Sequence, residues 1–186
     1  MRNRQRGLGL IEVLISIAVI AVGILGSLSM QLSAKRVNHE AVQRSQASAL
    51  AMDLLERMRV NPDSMAGYVS TWKHGDAIAA AGTDCVAATC SSAAMAAYDL
   101  EQWLEAVSGE NEQRDVTGGG AEAIGGLTSP SVCVSAASGF VTVALAWKSY
   151  DKQTNPSVST CGAASGLYGG ANEYRQVLTM SSYIGT

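Results

Sequence analysis

The chain divides by the rhythm of its apolar positions. From Leu8 to Leu32 nearly every residue is apolar or small, and from Val13 to Met30 none is charged. Those 18 residues make about 27 Å of helix, and with their flanks they are long enough to cross a bilayer. From Lys35 the pattern changes. Val37, Ala41, Ala47, Ala51, Leu54 and Met58 recur at helical spacing on one face. Lys35, Arg36, Glu40, Arg44, Asp53 and Arg57 fall on the opposite side, with Glu40/Arg44 and Asp53/Arg57 spaced for i,i+4 pairing. Together these stretches predict one long helix over 8–60. It stops at Pro62, because the residue before a proline, Asn61, is disfavoured in the α region.

Beyond it the signals are weaker. Residues 63–82 read as a mixed connection containing Tyr68 and Trp72. Ser91 or Ser92 caps a second predicted helix over 93–107, whose packing face is Met95, Tyr98, Trp103, Leu104 and Val107. Residues 110–126 are polar and carry the triplet Gly118-Gly119-Gly120, so they read as a loop. The last third has β character: a short strand at 132–134, another at 140–147, a loop over 151–170 rich in Asn, Pro, Ser, Thr and Gly, and a closing strand at 174–184.

Charge orients the chain. Arg2, Arg4 and Arg6 precede the apolar run without an acid among them. Basic flanks stay cytoplasmic, so everything after Leu32 is expected outside the inner membrane. A secretory signal has an apolar region of only about 7–15 residues followed by a small-x-small site; this run is longer and no such site follows it. The exported compartment permits disulfides. All four cysteines (Cys85, Cys90, Cys133, Cys161) lie on that side, and an even count reads as two bridges with three possible pairings. The net charge is −3, from 13 basic and 16 acidic residues, and losing the first seven residues would take it to −6. No basic stripe remains, so nucleic acid is not an expected partner.

The informative chemistry sits at the mouth of the apolar run, in Arg6-Gly7-Leu8-Gly9-Leu10-Ile11-Glu12-Val13. A carboxylate there is costly, about 2.5–3.5 kcal/mol near a helix centre and less near an end, so Glu12 calls for a partner. Other candidates carry less. His39 and His74 lack any HExxH or triad context and read as solvated. The glycine triplet lacks the strand–helix frame of a phosphate cradle. The cysteine spacing is neither that of a zinc site nor Cys-x-x-Cys. Trp72, Trp103 and Trp147 read as packing residues. No catalytic residue, metal site or cofactor is expected.

Gly7-Leu8-Gly9-Leu10-Ile11-Glu12-Val13-Leu14 resembles the type IV prepilin signature. In that family a dedicated peptidase cuts after a glycine and N-methylates the new first residue, and the fifth mature residue is a glutamate. The resemblance implies cleavage between Gly7 and Leu8, methylation of Leu8, and an assembly role for Glu12 facing the N-terminal amine of an adjacent subunit. Leu54-Leu55-Glu56-Arg57-Met58-Arg59-Val60-Asn61-Pro62, Asp84-Cys85 with Cys90-Ser91, Ala96-Ala97-Tyr98-Asp99-Leu100 with Trp103, and Tyr174-Arg175-Gln176-Val177 resemble PilV-type minor pilins. The chain departs from the family in having Leu8 where Phe or Met is usual and Gly9 where Thr is common. It also lacks the proline many major pilins carry in the membrane half, where Gly23 and Gly26 stand instead.

The expected fold is therefore α+β and pilin-like. A long N-terminal helix, with a membrane half and an amphipathic half, packs on a small antiparallel β-sheet. The expected segments are a cytoplasmic leader (1–7), a transmembrane and assembly half (8–32), an amphipathic half (33–62) and an extracytoplasmic globular domain (63–186). The resemblance implies partners: prepilin peptidase, other minor pilins and the major pilin, the inner-membrane assembly machinery and the lipid bilayer. It implies a complex that primes pilus polymerisation, with a place at the tip. The alternatives are a minor pseudopilin of a type II secretion system and an anchored extracytoplasmic enzyme or binding domain. The cysteines are read as structural: Cys85–Cys90 closing a tight local loop before the second helix, and Cys133–Cys161 tying the first predicted strand to the segment before the last.

Overall fold

The computed structural model describes residues 9–116 and 121–185. Helix α1 runs over Leu10–Val60, 51 residues without interruption. The chain forms two compact units that divide between His39 and Glu40. In the first, every described residue up to Asn38 is exposed, the large apolar side chains included.

The second unit builds its own core. After α1 come a 3₁₀ helix (Pro62–Tyr68), β1 (Ser70–Lys73), α2 (Ser92–Ser108), β2 (Gln113–Asp115), β3 (Ala121–Ala123), β4 (Ser131–Ala137), β5 (Phe140–Lys148) and β6 (Arg175–Tyr183). Four strands form one antiparallel sheet in the order β1-β4-β5-β6, while β2 and β3 pair as a separate hairpin.

Local chemistry accounts for the boundaries. Asn61, ahead of Pro62, leaves the helical region at φ −128°, ψ 58°. Ser91 caps α2, its side chain accepting from the Ala94 N–H at 3.3 Å. Gly109 ends α2 in the left-handed conformation, φ 82°. A Cβ there would also run into the Gly125 carbonyl, so the close approach of these segments needs a glycine. Ser138 and Gly139, both at positive φ, make the two-residue turn between β4 and β5.

The sheet is covered differently on its two faces. Val132, Val134, Val141, Val143, Leu145 and Trp147 share one apolar core with Ala47, Ala51, Leu54 and Met58 of α1 and with Trp103, Leu104 and Val107 of α2. On the other face Ala146 and Val177 pack with Tyr168 from the long β5–β6 connection.

The structure corrects several expectations. The connection at 63–82 holds a 3₁₀ helix and β1, a four-residue strand defined by its ladder to β4, which no local periodicity reveals. The glycine-rich stretch read as a loop contains the β2–β3 hairpin. Val37 and Ala41 are exposed, because the α1 residues fully buried in the core begin only at Gln43. Gln43 itself is buried, its amide donating to the Gly126 carbonyl at 3.2 Å and accepting from the Thr128 N–H at 2.8 Å.

Candidate assembly site

Glu12 lies in the first turn of α1. Its backbone is satisfied: its N–H donates to the Gly9 carbonyl at 3.0 Å, and its own carbonyl accepts from Ser16 Oγ at 2.7 Å. No hydrogen bond or ion pair joins its carboxylate to another described residue. Leu10, Ile11, Val13, Leu14 and Ile15 around it are all exposed. The next charged residue is Lys35, about 34 Å along the helix at the standard rise. The helix is long and apolar enough to cross a membrane, with a mean hydropathy of 2.5 in its most apolar window. Gly7 and Leu8, the expected cleavage and methylation positions, lie outside the described residues.

At its other end α1 joins the head through a polar cluster. Arg57 pairs with Asp53 at 3.0 Å and with Asp99 of α2 at 3.1 Å. Tyr68 Oη donates to the other Asp99 oxygen at 2.6 Å. Asn61 donates to Tyr68 Oη at 3.2 Å and to the Ser92 carbonyl at 2.8 Å. Burial, and then the bond to Asp99, push the Tyr68 hydroxyl up to about 12. An open pocket of about 530 Å³ lies beside this cluster; on its wall Arg57 pairs with Asp53 and Asp99, and Glu56 pairs with Arg59. Trp103 adds a further tie, its indole N–H donating to the Leu50 carbonyl at 2.8 Å.

The β5–β6 connection is held by buried polar anchors. Arg175 is 2% exposed. Its guanidinium donates to Asn155 Oδ1 at 2.9 Å and to the carbonyls of Cys161 (2.5 Å), Pro156 (2.7 Å) and Ser159 (2.9 Å). Burial lowers its pKa from the usual arginine value. Tyr168 Oη lies within hydrogen-bond reach of the Ser129 and Ala146 carbonyls and of Ser131 Oγ, and burial pushes it up to about 12. Two disulfides complete the framework, Cys85–Cys90 and Cys133–Cys161; the second joins β4 to this connection.

The three tryptophans are buried, as packing residues are. His74 is exposed, whereas His39 is half-buried and not the solvated residue expected. Among the described residues no group of three or more His, Cys, Asp or Glu could hold a metal ion. Sequence reasoning named the cysteines and Glu12 but missed Gln43, Asp99 and the anchoring by Arg175, whose partners are mostly backbone carbonyls and leave no residue-type signature.

The prokaryotic N-terminal methylation motif matches residues 2–28, and the type IV pilin Tt1218 family matches residues 29–101. No curated protein and no solved structure matches the chain. The two matched stretches adjoin, covering all of α1 and running into α2. They point to a structural rather than an enzymatic protein, and the motif and apolar helix fit a membrane anchor. Together with a long helix packed on a four-stranded antiparallel sheet, these matches support a type IV pilin or pseudopilin role.

Proposed function

We propose that this protein is a PilV-type minor pilin that joins other minor pilins in the inner membrane to initiate type IV pilus assembly and takes a place at the pilus tip. Prepilin peptidase removes residues 1–7 after Gly7 and methylates Leu8. Residues 8–32 hold the subunit in the membrane before assembly and pack among neighbouring helices afterwards. The head lies in the periplasm until the subunit is incorporated.

The observation that carries this reading is Glu12. It is five residues after Gly7 in an otherwise uncharged stretch reaching to Lys35, on a helix surface exposed all round. Cleavage would free the α-amino group of Leu8, whose reference pKa is about 7.7–8.0. A cationic amine on the neighbouring subunit gives the carboxylate a counter-ion inside an apolar bundle. An unpaired charge there would be strongly unfavourable, so the pair sets the register of docking.

Mass spectrometry of the protein from its native membrane tests this. A mature chain beginning at Leu8 is expected. Retention of residues 1–7 would reduce the protein to an anchored globular domain. Recovery of the processed chain in a secretion pseudopilus rather than in pili would move it to the related pseudopilin class.

A further inference from the structure

The two edges of the four-stranded sheet are unequal. β1 has four residues, ends at a lysine, and has its Lys73 N–H taken by the Asp76 carboxylate at 3.2 Å. These are ordinary protections of a strand edge. β6 has nine residues in unbroken register with β5, so no bulge twists it away. Between Gln176 and Tyr183 it carries no charged side chain and no proline.

The direction of its free backbone groups follows from one bond. The Ile184 N–H reaches the Gly139 carbonyl at 2.9 Å, and Tyr183 stands opposite Phe140. Tyr183 is therefore a non-hydrogen-bonded position, and the alternation of an antiparallel ladder continues down the strand. Val177, Thr179, Ser181 and Tyr183 turn their N–H and C=O groups away from β5. Among the described residues β6 pairs with no strand but β5. At its end Tyr183 meets Phe140 edge to face, ring centroids 5.1 Å apart. These two rings are 64% and 57% exposed, an aromatic pair of the kind that anchors protein interfaces.

Val177 is buried at the start of this edge, but Thr179, Ser181 and Tyr183 are exposed, and that stretch with its aromatic anchor fits an extended strand, bound through its main chain. A second copy of this chain is a poor occupant. Antiparallel self-pairing of β6 turns about an axis normal to the sheet. Because residues 40–60 of α1 pack on that sheet, such a pair would set the two helices head to tail, against their common origin in one membrane. We propose that the outer edge of β6 receives an edge strand from a different pilin-class subunit anchored in the same membrane. The choice of partner rests on the fibre-subunit reading above.

The test places a photo-reactive benzophenone side chain at Ser181 in the full chain in its native membrane, with His74 as the reference position. The expected product is a conjugate from position 181 whose partner peptide is a strand of another pilin-class subunit. Thr179→Pro removes an outward N–H without touching the β5 ladder, and Thr179→Lys adds an edge charge. Each should cut the conjugate by about tenfold or more. Unchanged protease resistance of the head shows that the variants remain folded; Thr179→Lys, which leaves the backbone intact, decides the matter if Thr179→Pro does not. The proposal is overturned by no conjugate above the His74 level, by a conjugate unaffected by Thr179→Lys, or by a conjugate between two copies of this chain. Retained residues 1–7 would sink the fibre reading itself, whereas a processed chain without the conjugate sinks only the edge.

Discussion

Along residues 10–38 every position of α1 is exposed, with apolar side chains turned outward all round. From Glu40 onward the same helix buries Ala47, Ala51, Leu54 and Met58 in a core shared with α2 and the sheet. The first region takes its backbone bonds from itself and must take its apolar surroundings from elsewhere, from lipid or neighbouring helices. The second closes its own core. A substitution in the first region should therefore change where the protein goes and what it joins, and one in the second should change whether the head stays folded.

Glu12→Ala tests that division most severely. Membrane insertion should be normal, since a costly charge is removed, and the thermal midpoint of the head should not move. Incorporation into pili or the initiating complex should fall by more than about a hundredfold, because removing one partner of a buried ion pair costs about 3–5 kcal/mol. Quantifying the subunit in sheared pili and in membranes checks both halves. Undiminished incorporation would leave Glu12 with no assembly role, and a destabilised head would break the comparison.

Within the head the disulfides grade by loop length. Replacing Cys133 and Cys161 by serine opens a loop spanning 28 residues and should cost about 3.5 kcal/mol on the chain-entropy account. Opening Cys85–Cys90, five residues apart, should cost about 2 kcal/mol on the same account. Both are read from denaturant unfolding or protease resistance, and incorporation should change only as far as stability does. Equal resistance of the Cys133/Cys161 variant and the parent would contradict the structural role.

Arg175→Met is next. It keeps the aliphatic stem but leaves Asn155 and three backbone carbonyls without their donor. Leaving buried acceptors unpaired should cost about 3 kcal/mol in sum, with hydrogen exchange rising across 151–174 ahead of the core strands. Uniform exchange across the head would show that this arginine does not fix the connection.

How much of this was legible beforehand differs between the regions for the same physical reason. Residues 8–60 announce themselves because a long apolar run and a local helical period are properties of neighbours in sequence; α1 ends where Pro62 predicts. α2 with its Ser91 cap and strands β4 to β6 were also visible, each having caps, turns or β-branched runs of its own. β1 was not, because four residues become a strand only through pairing with β4 some sixty positions later. Gln43 broke the apolar face on which it sits, since its worth lies in two backbone groups at Gly126 and Thr128. Arg175 stands in a family pattern, yet burial among carbonyls cannot be read from residue types.

The smallest effect concerns Asp99, where α1, the 3₁₀ helix and α2 meet. Tyr68 and Tyr168 both have folded-state values raised to about 12, above the unfolded tyrosine value of about 10. Each hydroxyl stabilises the fold in its protonated form. That contribution is complete below about pH 10 and is lost as pH rises through about 12, so the head should be insensitive to these groups at neutral pH and weaken across that alkaline window. Asp99→Asn should cost only about 1 kcal/mol at neutral pH, because Arg57 keeps Asp53 and Tyr68 keeps an amide oxygen to donate to. It also removes the negative charge that, after burial, holds the Tyr68 proton. The Tyr68 share of the alkaline decline should then be smaller and be complete at lower pH. Tyr168, whose raised value comes from burial and not from Asp99, should titrate as before. Spectrophotometric tyrosine titration beside unfolding curves resolves the two groups, and superposable parent and variant declines would mean that Asp99 does not hold this end of the helix to the head.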